Sequence, residues 1–296
     1  IGDPARVETE LGPVIDAAAK ARIEAHIQAF RTRFPVIAEA HAADATDAAF
    51  VTPIAFELDR VSDLKEEVFG PVLHLVRFAP ERFDEMIDQV NALGYGLTMG
   101  LHTRIDRRVE RVADRAKVGN LYVNRNQIGA VVGVQPFGGQ GLSGTGPKAG
   151  GPNYLARLCQ PHVSNGSVGQ PEPVALPGPT GETNTLRYEP RGRLLCLGGD
   201  DPSALAWQMA VVETTGNEAV DLGPLSEDEI VALTDIDGIV AEGSRRTLAS
   251  RALTRREGAS LPLLSADDPA ERFCVEKTVT INTTAAGGNA TLLAKI

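Results

Sequence analysis

This 296-residue sequence has little positive charge, no long apolar run and few cysteines. Acidic residues outnumber basic ones by 39 to 29, which gives a formal net charge of -10. Such a chain lacks the basic surface that non-specific binding to nucleic acid or to an anionic membrane requires. No apolar run approaches the ~20 residues that span a bilayer, and the first residues do not resemble a signal peptide. We therefore expect a cytoplasmic protein with no nucleic-acid partner and no transmembrane segment.

The cysteines exclude two further classes of protein. Cys159, Cys196 and Cys274 are far apart and odd in number, and they have neither a C-x-x-C spacing nor a nearby histidine pair. This arrangement predicts reduced thiols rather than a disulfide framework or a zinc site. We expect no bound metal.

The first 160 residues alternate between helical and strand patterns. Apolar residues at helical spacing follow Asp16, a typical N-cap residue, and predict a helix that Pro35 closes. Two further apolar stripes predict helices that end at Gly94 and Gly119. Runs of β-branched and aromatic residues predict strands at Phe50–Glu57, Val72–Phe78 and Leu121–Val123.

The composition changes after about residue 160, where proline, glycine, serine, asparagine and threonine dominate until Pro190. From Arg191 onward short apolar runs alternate with helical stretches, which predicts an α/β sheet that is largely parallel. Ser226 and Glu229 stand in a capping-box relation at the start of one helix. The apolar runs are Leu194–Leu197, Gly238–Ala241, Leu261–Leu264 and Cys274–Ile281.

The glycine-rich stretch partly matches several motifs of nucleotide-binding and nucleophilic sites, but each match lacks a residue that the chemistry requires. Gly144, Gly146 and Ala149 satisfy G-x-G-x-x-A, but Pro147 removes an amide from the turn, and no acidic residue lies between Ala149 and Pro171 to hold a ribose. A Walker loop fails because Ala149 stands where a hydroxyl should bind magnesium. Ser143 lacks the second glycine of the elbow G-x-S-x-G. These residues are better interpreted as a tight glycine turn.

The predicted strand Leu194–Leu197 runs into Gly198, Gly199 and Asp200, as a nucleotide-binding strand would. The full glycine fingerprint is missing, so nucleotide binding there is only a weak hypothesis.

The most specific pattern is Lys65-Glu66-Glu67-Val68-Phe69-Gly70-Pro71-Val72, which resembles the E-E-x-F-G-P-V signature of the aldehyde dehydrogenase superfamily. In that family the second glutamate accepts hydrogen bonds from the nicotinamide ribose and the phenylalanine packs nearby, which implies cofactor-binding roles for Glu67 and Phe69. Holding the ribose sets the nicotinamide against the aldehyde carbon. Other family motifs lie on both sides of it, in the order that the family has: Gly2-Asp3-Pro4, Gly12-Pro13-Val14-Ile15-Asp16, Tyr95-Gly96-Leu97, Gly119-Asn120, Pro136-Phe137-Gly138-Gly139 and Ser143-Gly144.

Residues 122–133 and 146–152 are similar to the proline-utilisation A branch of this superfamily. In that bifunctional branch the aldehyde dehydrogenase half oxidises glutamate γ-semialdehyde, the open form of Δ1-pyrroline-5-carboxylate, to glutamate with NAD. The resemblance implies that the backbone N–H groups of Gly129 and Ala130 hold the substrate α-carboxylate, a role that suits a glycine loop. It also implies that Phe137 lines the aldehyde tunnel.

The resemblance covers the whole chain and implies its architecture. The fold class is α/β, with the C-terminal part of an aldehyde dehydrogenase catalytic domain at 1–165 and a linker or flap at 166–190. A smaller Rossmann-like domain, aldehyde-dehydrogenase-like but non-catalytic, follows at 191–296. Residues 281–290 resemble a closing lid motif, with Thr284 in place of the usual alanine, and Gln140 replaces the glutamate expected after Phe-Gly-Gly.

The chain begins with Ile1 rather than methionine, so we expect it to be part of a longer polypeptide. Its partners would then be the upstream portion of that polypeptide, including an FAD-dependent proline dehydrogenase, and further copies in a homo-oligomer.

Aldehyde oxidation needs a thiolate nucleophile, a hydride acceptor and a carboxylate base. The resemblance places the nucleophilic cysteine and the general base upstream of Ile1, and the three cysteines present are interpreted as small buried apolar residues. We therefore expect no catalytic residue in this chain and no activity from the chain alone. Two alternatives stay open: a non-catalytic assembly or lid module, and a generic aldehyde dehydrogenase of another substrate.

Overall fold

A computed structural model describes residues 1–40, 49–144, 146–159 and 169–284, which form two compact units, Ile1–Leu93 and Gly94–Ile296. Both units combine helices with sheets, so the predicted α/β class is confirmed. Within the described ranges no helix is long and apolar enough to cross a bilayer.

The first unit is a small sheet with one helix packed on it. Its elements are α1 (Ala17–Arg31), β1 (Val36–Glu39), β2 (Ile54–Leu58), β3 (Val72–Val76) and α2 (Phe83–Asn91). Helix α1 starts as predicted, because the Asp16 carboxylate accepts a hydrogen bond of 2.7 Å from the Ala19 amide. The strand predicted at Phe50–Glu57 is shorter than expected and begins only at Ile54.

The sheet of this unit has the order β1-β2-β3, antiparallel between β1 and β2 and parallel between β2 and β3. The helix-facing side of the sheet is closed by the aromatic and aliphatic side chains of α1, among them Ile23, Ile27 and Phe30. Leu73 and Leu75 of β3 are exposed. The apolar core of the first unit therefore lies between α1 and one face of the sheet.

The second unit contains two larger sheets and four helices within the residues described. Its strands are β4 (Tyr95–Gly96), β5 (Thr98–Leu101), β6 (Asn120–Val123), β7 (Gln140–Gly141), β8 (Val174–Leu176), β9 (Glu182–Pro190), β10 (Arg193–Cys196), β11 (Glu218–Val220), β12 (Gly238–Val240), β13 (Leu263–Leu264) and β14 (Cys274–Asn282). Its helices are α3 (Asp106–Arg115), α4 (Ala204–Thr214), α5 (Glu227–Ala232) and α6 (Gly243–Arg255).

The strand β14 organises one of these sheets, whose order is β5-β6-β14-β9-β8. It pairs in parallel with β6 and in antiparallel fashion with β9 along the full length of both β14 and β9. The alternation with helices predicted that the run Cys274–Ile281 belongs to the parallel sheet of the C-terminal region. This prediction is wrong, because the run lies in the sheet of β5 and β6. The last described strand instead continues the sheet that begins at β5.

Two strands lie within the segment predicted as a linker or flap at 166–190. They span residues 174–176 and 182–190. In β9 the side chains of Asn184, Leu186 and Tyr188 alternate into the interior, and this burial stabilises the strand despite its polar neighbours. The two compact units divide at Leu93 and Gly94, so the domain boundaries at 165 and 191 stay a prediction.

The other large sheet has the order β11-β10-β12-β13 and is entirely parallel, as the alternation of apolar runs predicted. The predicted capping box is present at α5, where Ser226 and Glu229 exchange hydrogen bonds with each other's backbone amides. Leu195, Ile239 and Ala249 lie in one core beneath α5 and α6. Numbered along the chain, the strand order is 2-1-3-4, which is the order of a flavodoxin-like doubly wound sheet, with β10 in a central position.

Candidate functional site

The segment 66–70 forms a tight entrance to β3. The Gly70 amide donates to the Val68 carbonyl at 2.9 Å, and the Val72 amide donates to the Gly70 carbonyl at 2.8 Å. Val68 packs against the core of the first unit. A Cβ atom on Gly70 would lie 2.6 Å from Cδ1 of Ile23, so a larger residue here would force the buried Ile23 side chain of α1 to shift.

Because Val68 packs inward, its neighbours Glu67 and Phe69 project away from the core. Both are exposed, and 73% of Phe69 is accessible to solvent. Among the described residues the Glu67 carboxylate has no hydrogen-bond partner, so its oxygens are available to a hydroxyl-bearing ligand.

Residues 126–134, here called the anchor loop, leave β6 and return to the buried Gln135. Gly129 and Gly133 have φ values of 78° and 75°, in the left-handed region that favours glycine. Gly129 and Ala130 are both exposed, and their amides donate to no acceptor within the described part of the chain. Two adjacent free N–H groups in a turn of this kind can bind an anionic oxygen.

The backbone of Phe137 is fixed by hydrogen bonds to a neighbouring segment. It exchanges two hydrogen bonds with Ala149, at 3.0 and 2.8 Å. The preceding carbonyl, of Pro136, accepts from the Asn120 amide group at 3.0 Å and from the Thr278 hydroxyl at 2.7 Å. These contacts fix the segment on either side of the ring.

Gly119 lets this segment lie directly on the start of β6. A Cβ atom there would lie 1.8 Å from the Gly138 carbonyl oxygen, closer than any side chain tolerates. The Gly119-Asn120 pair of the family pattern thus has a physical reason: the glycine permits the contact and the asparagine makes the hydrogen bonds.

Lys148 lies beneath the same segment and is 2% exposed. Its Nζ donates to Asn120 Oδ1 at 2.8 Å and to the Gly138 carbonyl at 2.6 Å. Burial lowers the pKa of Lys148 to about 7, and the nearby Glu276 carboxylate opposes this shift. The sequence patterns assigned no role to Lys148 or Asn120, although both lie in stretches that matched the family.

Residues 1–163 match the family described as the aldehyde dehydrogenase family. This chain belongs to that family.

The aldehyde dehydrogenase chain is 38% identical, over 99% of its length, to the bifunctional protein PutA of Salmonella typhimurium, of which it covers 28%. It is also 38% identical, over 52% of its length, to the 1-pyrroline-5-carboxylate dehydrogenase of Bacillus subtilis, of which it covers 30%. A solved structure of proline utilization A from Corynebacterium freiburgense matches 88% of the chain and 30% of its own length, with a TM-score of 0.65 at 21% identity, which shows the fold alone. The chain thus spans less than a third of these relatives, and the resemblance to the proline-utilisation A branch is confirmed.

Two of the three cysteines of this aldehyde dehydrogenase chain, Cys196 and Cys274, are buried, and burial disfavours their thiolate forms. Burial raises the pKa of Cys196 to about 12 and that of Cys274 to about 11. Cys159 is exposed, so the prediction that it is buried is wrong, and its thiol donates to the Leu155 carbonyl at 3.4 Å. Among the described residues no group of three His, Cys, Asp or Glu could hold a metal ion.

The weak nucleotide hypothesis at Leu194–Leu197 is not supported by the residues around the following loop. The Asp200 carboxylate accepts from the Ser244 amide and hydroxyl at the N-terminus of α6. These hydrogen bonds lower the pKa of Asp200. The Ser244 amide at the start of α6 is thus already paired with a carboxylate, which would repel a phosphate group placed there.

The predicted site residues fall in different units of the chain. Glu67 and Phe69 lie together in the first unit, on either side of Val68. Gly129, Ala130 and Phe137 lie in the second unit, on the anchor loop and the segment that follows it. The predicted lid motif at 281–290 lies outside the described residues beyond Thr284.

Proposed function

We propose that this chain is part of an NAD-dependent glutamate γ-semialdehyde (1-pyrroline-5-carboxylate) dehydrogenase of proline catabolism. Its share of the task is to bind the nicotinamide ribose and the substrate carboxylate. The observation that carries the substrate assignment is the pair of exposed, unpartnered amides at Gly129 and Ala130. The names of the PutA and 1-pyrroline-5-carboxylate dehydrogenase relatives support the same substrate class.

The cofactor assignment rests on Glu67 and Phe69. NAD, when bound, accepts the hydride that leaves the aldehyde carbon. The free Glu67 carboxylate is a suitable acceptor for the two hydroxyls of a ribose. The exposed ring of Phe69 would be covered by a flat aromatic group, which removes apolar surface from water.

Backbone amides suit the recognition of a substrate carboxylate. They are fixed by the fold, so binding requires no reordering of a long side chain. Because they lie on the surface of the anchor loop, an aldehyde without a carboxylate would gain nothing from them. The loop should therefore set specificity while Phe137 packs against the aliphatic part of the substrate.

We further propose that the chain does not oxidise aldehydes alone. The reaction needs a thiolate at neutral pH, whereas two of the thiols present have pKa values raised to about 11 and 12 by burial. The nucleophile and the base would come from the upstream portion of the same polypeptide, which would also carry the FAD-dependent proline dehydrogenase. The three free thiols are typical of a reducing compartment, which we take to be the cytoplasm, and we expect the assembled enzyme to be a homo-oligomer.

Steady-state kinetics of the full-length polypeptide test this proposal. Glu67→Gln should raise the KM for NAD about tenfold, because a charged acceptor of the ribose is lost. Glu66→Gln changes a neighbouring glutamate that is also exposed, serves as the matched control and should leave that KM unchanged. The isolated chain should show no turnover.

The same assay tests the substrate. Gly129→Val should raise the KM for glutamate γ-semialdehyde without raising that for propanal, which has no carboxylate. A full-length polypeptide that fails to oxidise the semialdehyde would favour an assembly or lid module. Equal effects of Gly129→Val on both aldehydes would favour a generic aldehyde dehydrogenase.

A further inference from the structure

The two ends of the anchor loop meet at one carboxylate. Arg125 precedes the loop, and its Nη1 donates to Glu182 Oε2 at 2.5 Å. Gln135 follows the loop, and its Nε2 donates to Glu182 Oε1 at 2.7 Å. Each oxygen of Glu182 thus holds one end of the same nine-residue segment, 126–134.

Gln135 carries this restraint into the loop. The Gln135 side-chain Oε1 accepts a hydrogen bond from the Val131 backbone amide at 3.1 Å. The backbone amide of Gln135 donates to the Val131 carbonyl at 2.8 Å. Val131 is the neighbour of Ala130, so the orientation of the Gln135 side chain decides where the amide next to the free pair points. Glu182 orients that side chain by accepting from its Nε2.

The hydrogen-bonded cluster of Arg125, Gln135 and Glu182, here called the clasp, is shielded from water. Gln135 is 2% exposed, and the side chains of Glu182 and Arg125 are 12% and 22% exposed. Hydrogen bonds to a charged acceptor are stronger than neutral ones, and burial keeps solvent from replacing them. The guanidinium of Arg125 also lies over the Tyr122 ring, 5.4 Å from its centre, which restricts its position further.

Glu182 is itself held by the sheet. It is the first residue of β9, opposite Asn282 of β14. Its Oε1 also accepts from the Asn184 side chain at 3.0 Å, and Asn184 accepts from the Thr280 hydroxyl at 2.8 Å. Glu182 lies beyond residue 163, the end of the match to the aldehyde dehydrogenase family.

We propose that Glu182 is a positioning residue for substrate recognition, whose carboxylate clasps Arg125 and Gln135 so that Gly129 and Ala130 present their amides to the substrate carboxylate. This inference rests on the function proposed above. By this proposal, the strand pair β9 and β14 contributes to specificity for an aldehyde that bears a carboxylate, because it holds Glu182 in place without contacting the substrate.

The test compares two aldehydes with the full-length polypeptide. Glu182→Ala should raise the KM for glutamate γ-semialdehyde about tenfold, leave kcat within about twofold, and leave the KM for propanal unchanged. Glu182→Gln should have a smaller effect of about threefold, because its amide oxygen still accepts from Gln135. Glu172→Gln removes the same charge from an exposed site in the same unit and should change neither KM.

Hydrogen exchange separates a loosened loop from a general loss of structure. Glu182→Ala should speed exchange of the Val131 and Gln135 amides, while amides in β10 and β12 keep their wild-type protection. Faster exchange throughout the second unit would mean that Glu182 is only a structural residue, and would overturn the proposal.

Failure of this inference and failure of the proposed function give different results. If Gly129→Val raises the semialdehyde KM and Glu182→Ala does not, the loop binds the carboxylate but Glu182 does not position it. If Glu182→Ala affects both aldehydes equally, the clasp has no role in specificity. If Gly129→Val also leaves the semialdehyde KM unchanged, the assignment of the loop itself is wrong.

Discussion

Replacing Lys148 should change how stability depends on pH. Lys148 is 2% exposed, and burial lowers its pKa to about 7 from an ordinary value of 10.5. Between these two values the unfolded chain binds a proton that the folded chain does not. The contribution of Lys148 to stability is therefore lowest below pH 7 and rises with pH across the window from about 7 to 10.5.

The size of the effect follows from this shift. Each pH unit inside the window changes the free energy of unfolding by up to about 1.4 kcal/mol, so we expect roughly 2.5 kcal/mol between pH 7.5 and 9.5. Lys148→Met removes the titration and leaves the Gly138 carbonyl without its donor, which costs about 1–3 kcal/mol at every pH. Wild type should thus exceed the variant most clearly at alkaline pH, and the gap should shrink or reverse near pH 6.5.

Urea unfolding at several pH values between 6.5 and 9.5 measures the difference. The only tryptophan, Trp207, lies in the second unit with Lys148, so its fluorescence reports on the relevant unit, and far-UV circular dichroism supplies a second probe. Lys117→Met, which removes an exposed lysine from the same unit, controls for the loss of one charge. A gap between wild type and Lys148→Met that stays constant from pH 7 to 9.5 would refute the claim that this ammonium is desolvated.

Two further predictions concern buried or paired charges. Lys277 is 1% exposed and pairs with Glu189 at 2.6 Å, so Lys277→Met should destabilise the chain by about 3–5 kcal/mol in urea unfolding, and adding Glu189→Leu should restore much of that loss. His26 and His74 are joined through their Nε2 atoms at 3.0 Å, and burial with the neighbouring His26 lowers the pKa of His74 to about 4. Stability should therefore fall as the pH drops from 6.5 toward 4, by about 1–2 kcal/mol for this half-exposed group, and thermal melts of His74→Phe should show a smaller fall than wild type. Equal stability of Lys277→Met and the double variant would show that an unpaired Glu189 charge does not cause the loss. If His74→Phe lost as much stability in acid as wild type, protonation of His74 would not cause the acid destabilisation.

The clasp at Glu182 bears on how specificity is divided in this chain. The residues expected to touch the substrate carboxylate lie within the family match, whereas the residue that orients their loop lies outside it. A variant at Glu182 would then alter substrate preference without touching the substrate. A backbone amide carries no side chain that substitution could change, so its position can be adjusted only by moving the backbone. A residue that orients the anchor loop, such as Glu182, can therefore change how well the amides bind a carboxylate.

Local features were determined by the sequence alone. The Asp16 cap and the Ser226–Glu229 box involve residues three positions apart, whose contacts form whenever the helix does. The turn from Glu67 to Gly70 is equally local, so its motif could be recognised without a fold. The parallel sheet could be predicted because each of its strands after β10 follows a helix by a short connection.

Only the tertiary structure decided the contacts between distant segments. Arg125 and Gln135 reach Glu182 across 57 and 47 residues, and Lys148 reaches Asn120 across 28. No periodicity or spacing encodes such pairs, because they depend on which strands lie side by side once the whole sheet has formed. The placement of β14 between β6 and β9 was missed for the same reason, since strand pairing is chosen by the burial of the complete sheet and not by the strand itself.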